Sequence, residues 1–397
     1  MPKLFTQWVG DDFLMCAQWS DDGIWATTNI ALLDKILDKV HSDFALVRNY
    51  KPAKMLGSQI EYDRSRGILK LHQGEYWKAK IKELQIPHKT ARSPGIIPQK
   101  IPNPLFEDKK VQASEESIRT FQRHVGVHIW GLQTDASAAF VTTKLASGMV
   151  NPQKLHWDIL SRLEAYKTTY PEMGIVFRAA DPPEILKKGH NLDCLSIFAD
   201  ADLAGDLTDS KSTSGYSCHL GESGMFDWKC KKQTCVCQSS CESETLSSKL
   251  ATCTAIWLRN GLADMGFTFT RPTPVCQDNQ SAIALCESDK HHSRTRHFRM
   301  HVHFLKDCQA KRITCYPWVP TAHMRGDMFN KMHGPIMHER LLEMNQMSPH
   351  PIHALEAKPK PMVVYGWIER HAQEKAEAAE KAVEADSNAH RSKKNLK

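Results

Sequence analysis

The sequence between residues 191 and 345 predicts a mixed α/β (α+β) fold, in which helices flank a five-stranded mixed sheet. Three short apolar strands come first and are separated by turns, as in an antiparallel meander. Helical patterns then alternate with two further strands, as expected when later strands join the sheet through helical crossovers. The predicted strands are 195–199, 215–220, 225–229, 275–277 and 313–318, and the predicted helices are 242–265, one from 279, 295–309 and one from 324.

The composition is that of an ordinary globular chain. Its 397 residues are 41% hydrophobic and 24% charged, which leaves room for two or three domains. No apolar run reaches the roughly 18 residues that a membrane span needs, so we expect no membrane partner. The twelve cysteines are scattered and the N-terminus lacks a signal-peptide pattern. We therefore expect reduced thiols in the cytosol or nucleus. A net charge of +7 permits a polyanionic partner.

Four segments follow from changes in pattern along the chain. Residues 1–90 contain a hairpin with Asp11 and Asp12 at its tip, a helix over 30–41 and a second hairpin over 54–72. Residues 91–190 begin with a proline-rich basic linker and continue as helices. The mixed sheet occupies 191–345. Residues 346–397 are charged and predict a disordered or marginally helical tail.

Four widely spaced carboxylates are the candidate site of this chain. Asp200 ends the first predicted strand of the sheet, Glu244 opens the long helix, Asp278 follows the fourth strand and Asp327 starts the last helix. Oxygen ligands delivered by separate elements suit hard divalent cations such as Mg²⁺ or Mn²⁺. A pair of such ions clamps the attacking and leaving oxygens of a phosphodiester. Because crowded carboxylates repel one another, we expect raised pKa values in this cluster.

Alternatives remain for individual residues. Asp202 would share the face of Asp200 only if that strand continued, and Glu242 could instead serve the N-terminal dipole of its helix. His323 lies four residues before Asp327, so one helix would place both on one face; a structural histidine is favoured over a proton shuttle. The cysteines at 235, 237 and 241 have no second ligand pair at zinc spacing, so ordinary thiols are favoured.

Six short phrases occur in one order between residues 200 and 297. The phrases are Asp200-Ala201-Asp202-Leu203-Ala204-Gly205-Asp206, Lys211-Ser212-Thr213-Ser214-Gly215-Tyr216, Trp228-Lys229-Cys230-Lys231-Lys232-Gln233, Ser239-Ser240-Cys241-Glu242-Ser243-Glu244, Asp278-Asn279-Gln280-Ser281-Ala282-Ile283 and His292-Ser293-Arg294-Thr295-Arg296-His297. Together, these phrases resemble the ribonuclease H domain of copia-type retrotransposon polyproteins. The resemblance implies a ribonuclease H-like sheet for residues 191–345.

The resemblance extends upstream to reverse transcriptase. Residues 9–12 resemble the acidic hairpin of that enzyme, with Gly10 where a valine is usual, and residues 56–61 resemble the strand that grips the primer end. Residues 122–178 resemble the thumb and connecting segment. The fingers and an earlier palm aspartate of the family would lie before Met1. The resemblance therefore implies a partial palm and thumb, with Asp11 and Asp12 as vestigial polymerase residues, and we expect no polymerisation by this chain alone.

The resemblance also implies an activity and its residues. It implies a ribonuclease H-type endonuclease that hydrolyses the RNA strand of RNA–DNA hybrids with two Mg²⁺ or Mn²⁺ ions. The implied ligands are Asp200, Glu244, Asp278 and Asp327, with Asp200 bridging both ions. The predicted nucleic-acid contacts are Asn279, Lys229, Lys231, Lys232, Arg294 and Arg296. The rest of a retroelement polyprotein is the expected protein partner.

The chain departs from the family pattern at several positions. Leu203 replaces a usual Trp, Cys241 a Thr and Thr245 a Tyr. Residues 326–331 have the sequence Gly-Asp-Met-Phe-Asn-Lys where Ala-Asp-Ile-Leu-Thr-Lys is usual. No departure removes a carboxylate. The alternative is a nucleic-acid-binding retrotransposon remnant without catalysis; a small-molecule enzyme lacks support, because no Gly-rich phosphate loop is present.

Overall fold

The computed structural model describes residues 3–95, 112–179, 188–206, 209–288 and 293–356. The N-terminal part forms a three-stranded antiparallel sheet with a helix on one face. Its elements are β1 (Lys3–Val9), β2 (Asp12–Trp19), β3 (Asp22–Thr27) and α1 (Ile30–Asp43). Leu33 and Leu37 recur at helical spacing and pack against Leu14 of β2. The first predicted hairpin and helix are therefore present.

A second sheet and a group of helices follow. The elements are β4 (Lys54–Met55), β5 (Ser58–Asp63), β6 (Ile68–His72), α2 (Gly74–Glu83), α3 (Glu115–Gly131), α4 (Ala139–Ser147), α5 (Lys154–Thr169) and β7 (Gly174–Arg178). Strands β4 to β7 pair antiparallel in chain order. Phe121, Leu145 and Leu163 form part of the core between α3, α4 and α5. Residues 3–72 thus contribute to two different sheets.

The third sheet contains five strands in a mixed arrangement. Its elements are β8 (Leu195–Asp206), β9 (Lys211–Leu220), β10 (Met225–Lys232), α6 (Ser240–Asp264), β11 (Thr273–Cys276), α7 (Gln280–Glu287), α8 (Arg299–Ala310) and β12 (Thr314–Cys315). The strand order is β10-β9-β8-β11-β12, with β8 to β10 antiparallel and with β11 parallel to both β8 and β12. Ile197, Val275 and Ala251 meet in the core between this sheet and α6. The topology is ribonuclease H-like, which confirms the predicted fold class.

The chain after the mixed sheet returns to the second sheet. A 3₁₀ turn (Arg325–Phe329) and α9 (Pro335–Met344) lead to β13 (Met347–Ser348), which pairs with β7. The buried ammonium of Lys70 donates to the backbone carbonyl of His350 at 2.7 Å, and Leu355 packs against Ile68. The predicted tail from residue 346 is therefore wrong for 346–356, because these residues complete a sheet and its core. Residues 357–397 lie outside the described residues.

Two further predictions of local structure are wrong. Strand β8 continues to Asp206 because β9 pairs with it well beyond Asp200, so Asp200 lies mid-strand. No α-helix begins at 324: Asp327 lies in the 3₁₀ turn Arg325–Phe329, and His323 ends a separate 3₁₀ turn. His323 and Asp327 thus do not share one helix face.

Within the described residues, no helix combines the length and the apolar character needed to cross a membrane. The predicted linker is described only up to residue 95 and the predicted domain limits stay predictions.

Candidate active site

Three of the four predicted acids lie together in one cluster. One carboxylate oxygen each from Asp200, Glu244 and Asp278 lies within 4.8 Å of the other two. Asp200 comes from the middle of β8, Glu244 from the N-terminal end of α6, and Asp278 from the residues after β11. The fold thus brings together three carboxylates that lie 34 or more positions apart in the sequence.

The local fold explains why these acids converge. Phe198 of β8 pairs with Cys276 of the parallel strand β11, so Asp200 and Asp278 each follow two residues later at the same level. Helix α6 is fixed to β8 because the Ser247 hydroxyl donates to the Asp200 carbonyl at 2.7 Å. The Gln277 amide donates to the Glu244 carbonyl at 3.2 Å and joins α6 to the end of β11.

The fourth acid arrives on a turn that lies directly on the sheet. A Cβ atom on Gly215 would come within 2.7 Å of the Phe329 Cβ, and one on Gly326 within 2.9 Å of the Phe198 carbonyl. Two glycines therefore allow the 3₁₀ turn to approach β8 and β9 closely. The carboxyl group of Asp327 consequently lies beside Asp200 and hydrogen-bonds to it.

Burial and mutual repulsion divide the acids into two kinds. Burial and the charge of Asp200 raise the pKa of Glu244 and of Asp278, and burial with the Asp200 contact raises the pKa of Asp327 to about 9. Burial also acts to raise the pKa of Asp200, but the hydrogen bond from Asp327 and the charge of Lys331 outweigh it and lower this pKa. The expectation of raised values is thus wrong for Asp200, whose charged form is favoured, whereas the surroundings of Glu244, Asp278 and Asp327 favour their protonated forms.

The donor set fits a divalent cation. All four groups are carboxylates, which are the ligands that Mg²⁺ and Mn²⁺ prefer. The Oε2 atom of Glu244 is buried and has no hydrogen-bond partner among the residues that the structure describes. A buried carboxylate oxygen without a donor is unfavourable unless a cation satisfies it. Asp200, Glu244 and Asp278 could therefore hold one ion, and Asp200 with Asp327 a second.

Several polar residues around the acids were not anticipated from sequence. The Lys331 ammonium lies 2.7 Å from Asp327 Oδ1 and 3.2 Å from Asp200 Oδ2. The Asn330 amide donates to Asp200 Oδ2 at 2.6 Å, and the Thr321 hydroxyl donates to Asp278 Oδ2 at 2.7 Å. Lys331 had a sequence signal, because it lies four residues after Asp327; Thr321 had none.

The two acids whose roles the sequence did not decide, Asp202 and Glu242, both make hydrogen bonds within the protein. Asp202 lies on β8 and its carboxylate accepts from the backbone N–H of Thr213, while burial raises its pKa to about 6. Glu242 accepts from the Gln238 backbone N–H at 2.8 Å and from His297 at 3.1 Å. Glu242 thus stabilises the start of α6, in keeping with the capping alternative.

The predicted nucleic-acid contacts fall into several groups. Lys229 and Lys231 are exposed on β10, and Arg296 is exposed in the 3₁₀ helix Ser293–Phe298. Lys232 differs, because its ammonium is engaged by Asp206 at 2.7 Å and by Asp209 at 3.0 Å. It is therefore not free to bind a phosphate without losing these pairs.

Asn279 and Arg294 complete that group. Asn279 follows Asp278 directly and caps α7, with its side-chain oxygen accepting from the Ala282 backbone N–H at 3.1 Å. The side chain of Arg294 lies outside the described residues.

The acidic hairpin lies at the other end of α6. Asp11 is exposed in the β1–β2 turn, and Asp12 accepts from the Asn29 amide at 2.7 Å. The hairpin packs on the mixed-sheet unit because the Trp8 indole N–H donates to the Met265 carbonyl at 2.7 Å. A helix rises about 1.5 Å per residue, which places Met265 roughly 30 Å from Glu244 along α6. The structure thus keeps Asp11 and Asp12 apart from the four acids.

Comparison with known proteins finds relatives among transposon polyproteins. The chain is 28% identical over 309 residues to the retrovirus-related Pol polyprotein from transposon RE1 of Arabidopsis thaliana, covering 77% of this chain and 20% of the polyprotein. It is 32% identical over 174 residues to that from transposon RE2 of the same plant, covering 44% of this chain and 11% of the polyprotein. The chain thus spans about a fifth or less of these relatives.

No protein-family model matches the sequence. Among solved structures, LC11-RNase H1 isolated from compost is 11% identical with a TM-score of 0.29, covering 35% of this chain and 93% of that chain. The fold assignment rests on strand order and direction and not on this low score. The chain is thus similar to part of the Pol polyproteins of copia-type retrotransposons, and its mixed sheet has a ribonuclease H-like strand order.

Proposed function

We propose that the chain is a retroelement ribonuclease H-type endonuclease that hydrolyses the RNA strand of RNA–DNA hybrids in a divalent-metal-dependent reaction. The observation that carries this proposal is the convergence of Asp200, Glu244 and Asp278 within 4.8 Å, with Asp327 beside them. Four acids held by four elements are a costly arrangement for stability alone, because their charges repel. Such a cluster is typical of a functional site.

The side chains have separate roles in this proposal. When bound, two divalent ions activate water and neutralise the charge that develops on the phosphodiester. Asp200, Glu244, Asp278 and Asp327 would hold these ions through carboxylate oxygens. The exposed ammonium groups of Lys229 and Lys231 attract the phosphate backbone, and Arg296 could extend that basic surface.

Recognition of RNA requires a group that contacts the 2′-hydroxyl, which both donates and accepts hydrogen bonds. Asn279 is the candidate, because it directly follows Asp278 and is held in place by its capping hydrogen bond. Its amide N–H groups can donate to a ribose oxygen. Asp11 and Asp12 belong to a partial reverse-transcriptase palm and are not proposed to support polymerisation in this chain alone. No disulfide joins the twelve cysteines, all of which lie within the described residues, and this supports a reducing compartment such as the cytosol or nucleus.

Cleavage of a labelled RNA–DNA hybrid in the presence of Mg²⁺ tests the proposal. We expect the purified chain to cut the RNA strand and Asp278→Asn to lose this activity while still binding the hybrid. Asp264→Asn is the matched control, since Asp264 is an exposed acid at the far end of α6. Binding without cleavage by the unmodified chain would instead support the alternative of a non-catalytic remnant.

A further inference from the structure

A buried amide lies against the central acid of the site. Asn330 directly follows the 3₁₀ turn that carries Asp327, and it is fully buried, with an exposed fraction of 0%. Its Nδ2 donates to Asp200 Oδ2 at 2.6 Å. Asp200 is the acid that the other members of the cluster surround, so its orientation sets the geometry of the whole group.

Lys331 contacts the same oxygen in a different way. Its ammonium lies 3.2 Å from Asp200 Oδ2, and its side chain is 39% exposed on a flexible stem. A cation that binds Asp200 and Asp327 can displace this ammonium toward solvent. The short and enclosed Asn330 amide has no comparable freedom. Asn330 is therefore the fixed donor to Asp200, and Lys331 the exchangeable one.

The second polar atom of Asn330 shows why the contact matters. Its Oδ1 is buried and has no hydrogen-bond partner within the described ranges. A buried acceptor without a donor is unfavourable, so packing alone would favour an apolar residue of similar volume. Rotating the amide by half a turn would place Oδ1 against the carboxylate, which is repulsive. The contact with Asp200 is thus the interaction that favours an asparagine in this orientation.

We infer that Asn330 is a positioning residue: it fixes one oxygen of the Asp200 carboxylate so that the other can join Glu244 and Asp278 in binding a divalent cation. This inference rests on the proposed metal-dependent function. It also gives a role to a departure from the family pattern, since threonine is usual at this position. A threonine hydroxyl can donate to the same carboxylate, although from a shorter side chain.

Binding of Mn²⁺ alone, measured by titration calorimetry without nucleic acid, tests the inference. We expect Asn330→Leu, which keeps the volume and removes the donor, to bind Mn²⁺ about tenfold more weakly than the unmodified chain. Asn330→Thr should recover part of the affinity. Asn330→Ala provides a second variant without the donor should the leucine disturb folding, which melting curves of each variant would reveal.

Asn345→Leu is the matched control. Asn345 is also fully buried, and its amide donates to the backbone carbonyls of Leu341 at 3.0 Å and of Arg325 at 3.2 Å instead of to a carboxylate. Asn345→Leu should lower the melting temperature and weaken Mn²⁺ binding much less than Asn330→Leu does. Equal Mn²⁺ affinity of the folded Asn330 variants and the unmodified chain would overturn the positioning role alone. The same holds if Asn345→Leu weakens binding as much as Asn330→Leu. An unmodified chain that binds no Mn²⁺ would overturn the proposed metal dependence as well.

Discussion

Two acidic regions of this chain resemble one another in sequence and differ in structure. The Asp11–Asp12 pair lies at the start of β2 and the Asp200–Asp202 pair lies within β8. Of these two pairs, only the second contributes a residue, Asp200, to a cluster of acids. Asp11 is exposed in the turn between β1 and β2, and the Asp12 carboxylate accepts a hydrogen bond from the Asn29 amide. Asp200 is buried mid-strand and is approached by α6, β11 and the 3₁₀ turn. The proposed cation site thus depends on how many elements bring acids to one point, more than on adjacent acids in one element.

The largest expected difference between the two regions is in hybrid cleavage. Asp200→Asn should reduce the cleavage rate at least about 100-fold, equivalent to about 2.7 kcal/mol of activation free energy. The reason is that it removes the negative charge of the one carboxylate that would help to hold both proposed ions. Asp11→Asn should leave the rate unchanged. Single-turnover cleavage of a labelled hybrid measures both. Equal losses in the two variants would contradict the separation of the regions.

The next expected effect is a dependence of stability on pH. The raised pKa values of Glu244, Asp278 and Asp327 mean that these three groups bind more protons in the folded chain than in the unfolded chain, for Asp327 between about pH 4 and pH 9. Their contribution to the stability of the metal-free protein should therefore fall as the pH rises, whereas buried His128 and His219, whose pKa values are lowered, act in the opposite direction below about pH 6.5. Relative to Asp327→Asn, the unmodified protein should lose about 5 °C of melting temperature across this range. Mg²⁺ replaces the protons, so its stabilising effect should grow with pH.

Melting curves across that pH range, with Mg²⁺ and with a chelator, measure this effect. Asp327→Asn should flatten the profile, because it removes the group whose pKa is raised to about 9. Asp11→Asn should leave the profile as it is. A metal-free profile that Asp327→Asn leaves unchanged would contradict the raised pKa assigned to Asp327.

A smaller effect is expected from the lysine that neutralises the cluster. Lys331→Gln should lower the stability of the metal-free chain by about 1–2 kcal/mol, because it leaves Asp200 and Asp327 without their ammonium. Saturating Mg²⁺ should reduce the loss. Lys311→Gln is the matched control: Lys311 makes an exposed pair with Asp307 at the same four-residue spacing, where solvent screens the interaction, so a much smaller loss is expected. Urea titrations of both variants compare them.

The smallest expected effect concerns the contact that joins the two regions. Trp8→Phe keeps an aromatic ring against Phe267 and removes the hydrogen bond to Met265, so we expect a loss of about 1 kcal/mol in stability. Hybrid cleavage should not change, because this contact lies at the end of α6 opposite to Glu244. A loss of cleavage without unfolding would show that the hairpin influences the acidic cluster.

The regular pattern of this chain was predictable because it is local. Apolar runs and turn residues predicted the strands and helices of the mixed sheet. Where a strand end differs from its predicted position, hydrogen-bonded pairing with a neighbouring strand sets that end. Strand β8 continues past Asp200 because β9 offers partners as far as Asp206, which no property of β8 alone reveals. Lys232 appeared to be a phosphate contact because its partners Asp206 and Asp209 lie more than twenty residues away in sequence.

The sequence by itself determined the identity and order of the acids, since motif phrases and strand ends are encoded over a few residues. The tertiary structure alone decided that Asp327 arrives on a 3₁₀ turn packed through Gly215 and Gly326, and that Asn330 holds Asp200. It also decided that residues 347–356 return to complete the second sheet. The physical reason is that these features depend on contacts between elements far apart in the chain, where close approach and burial, and not local preference, fix the structure.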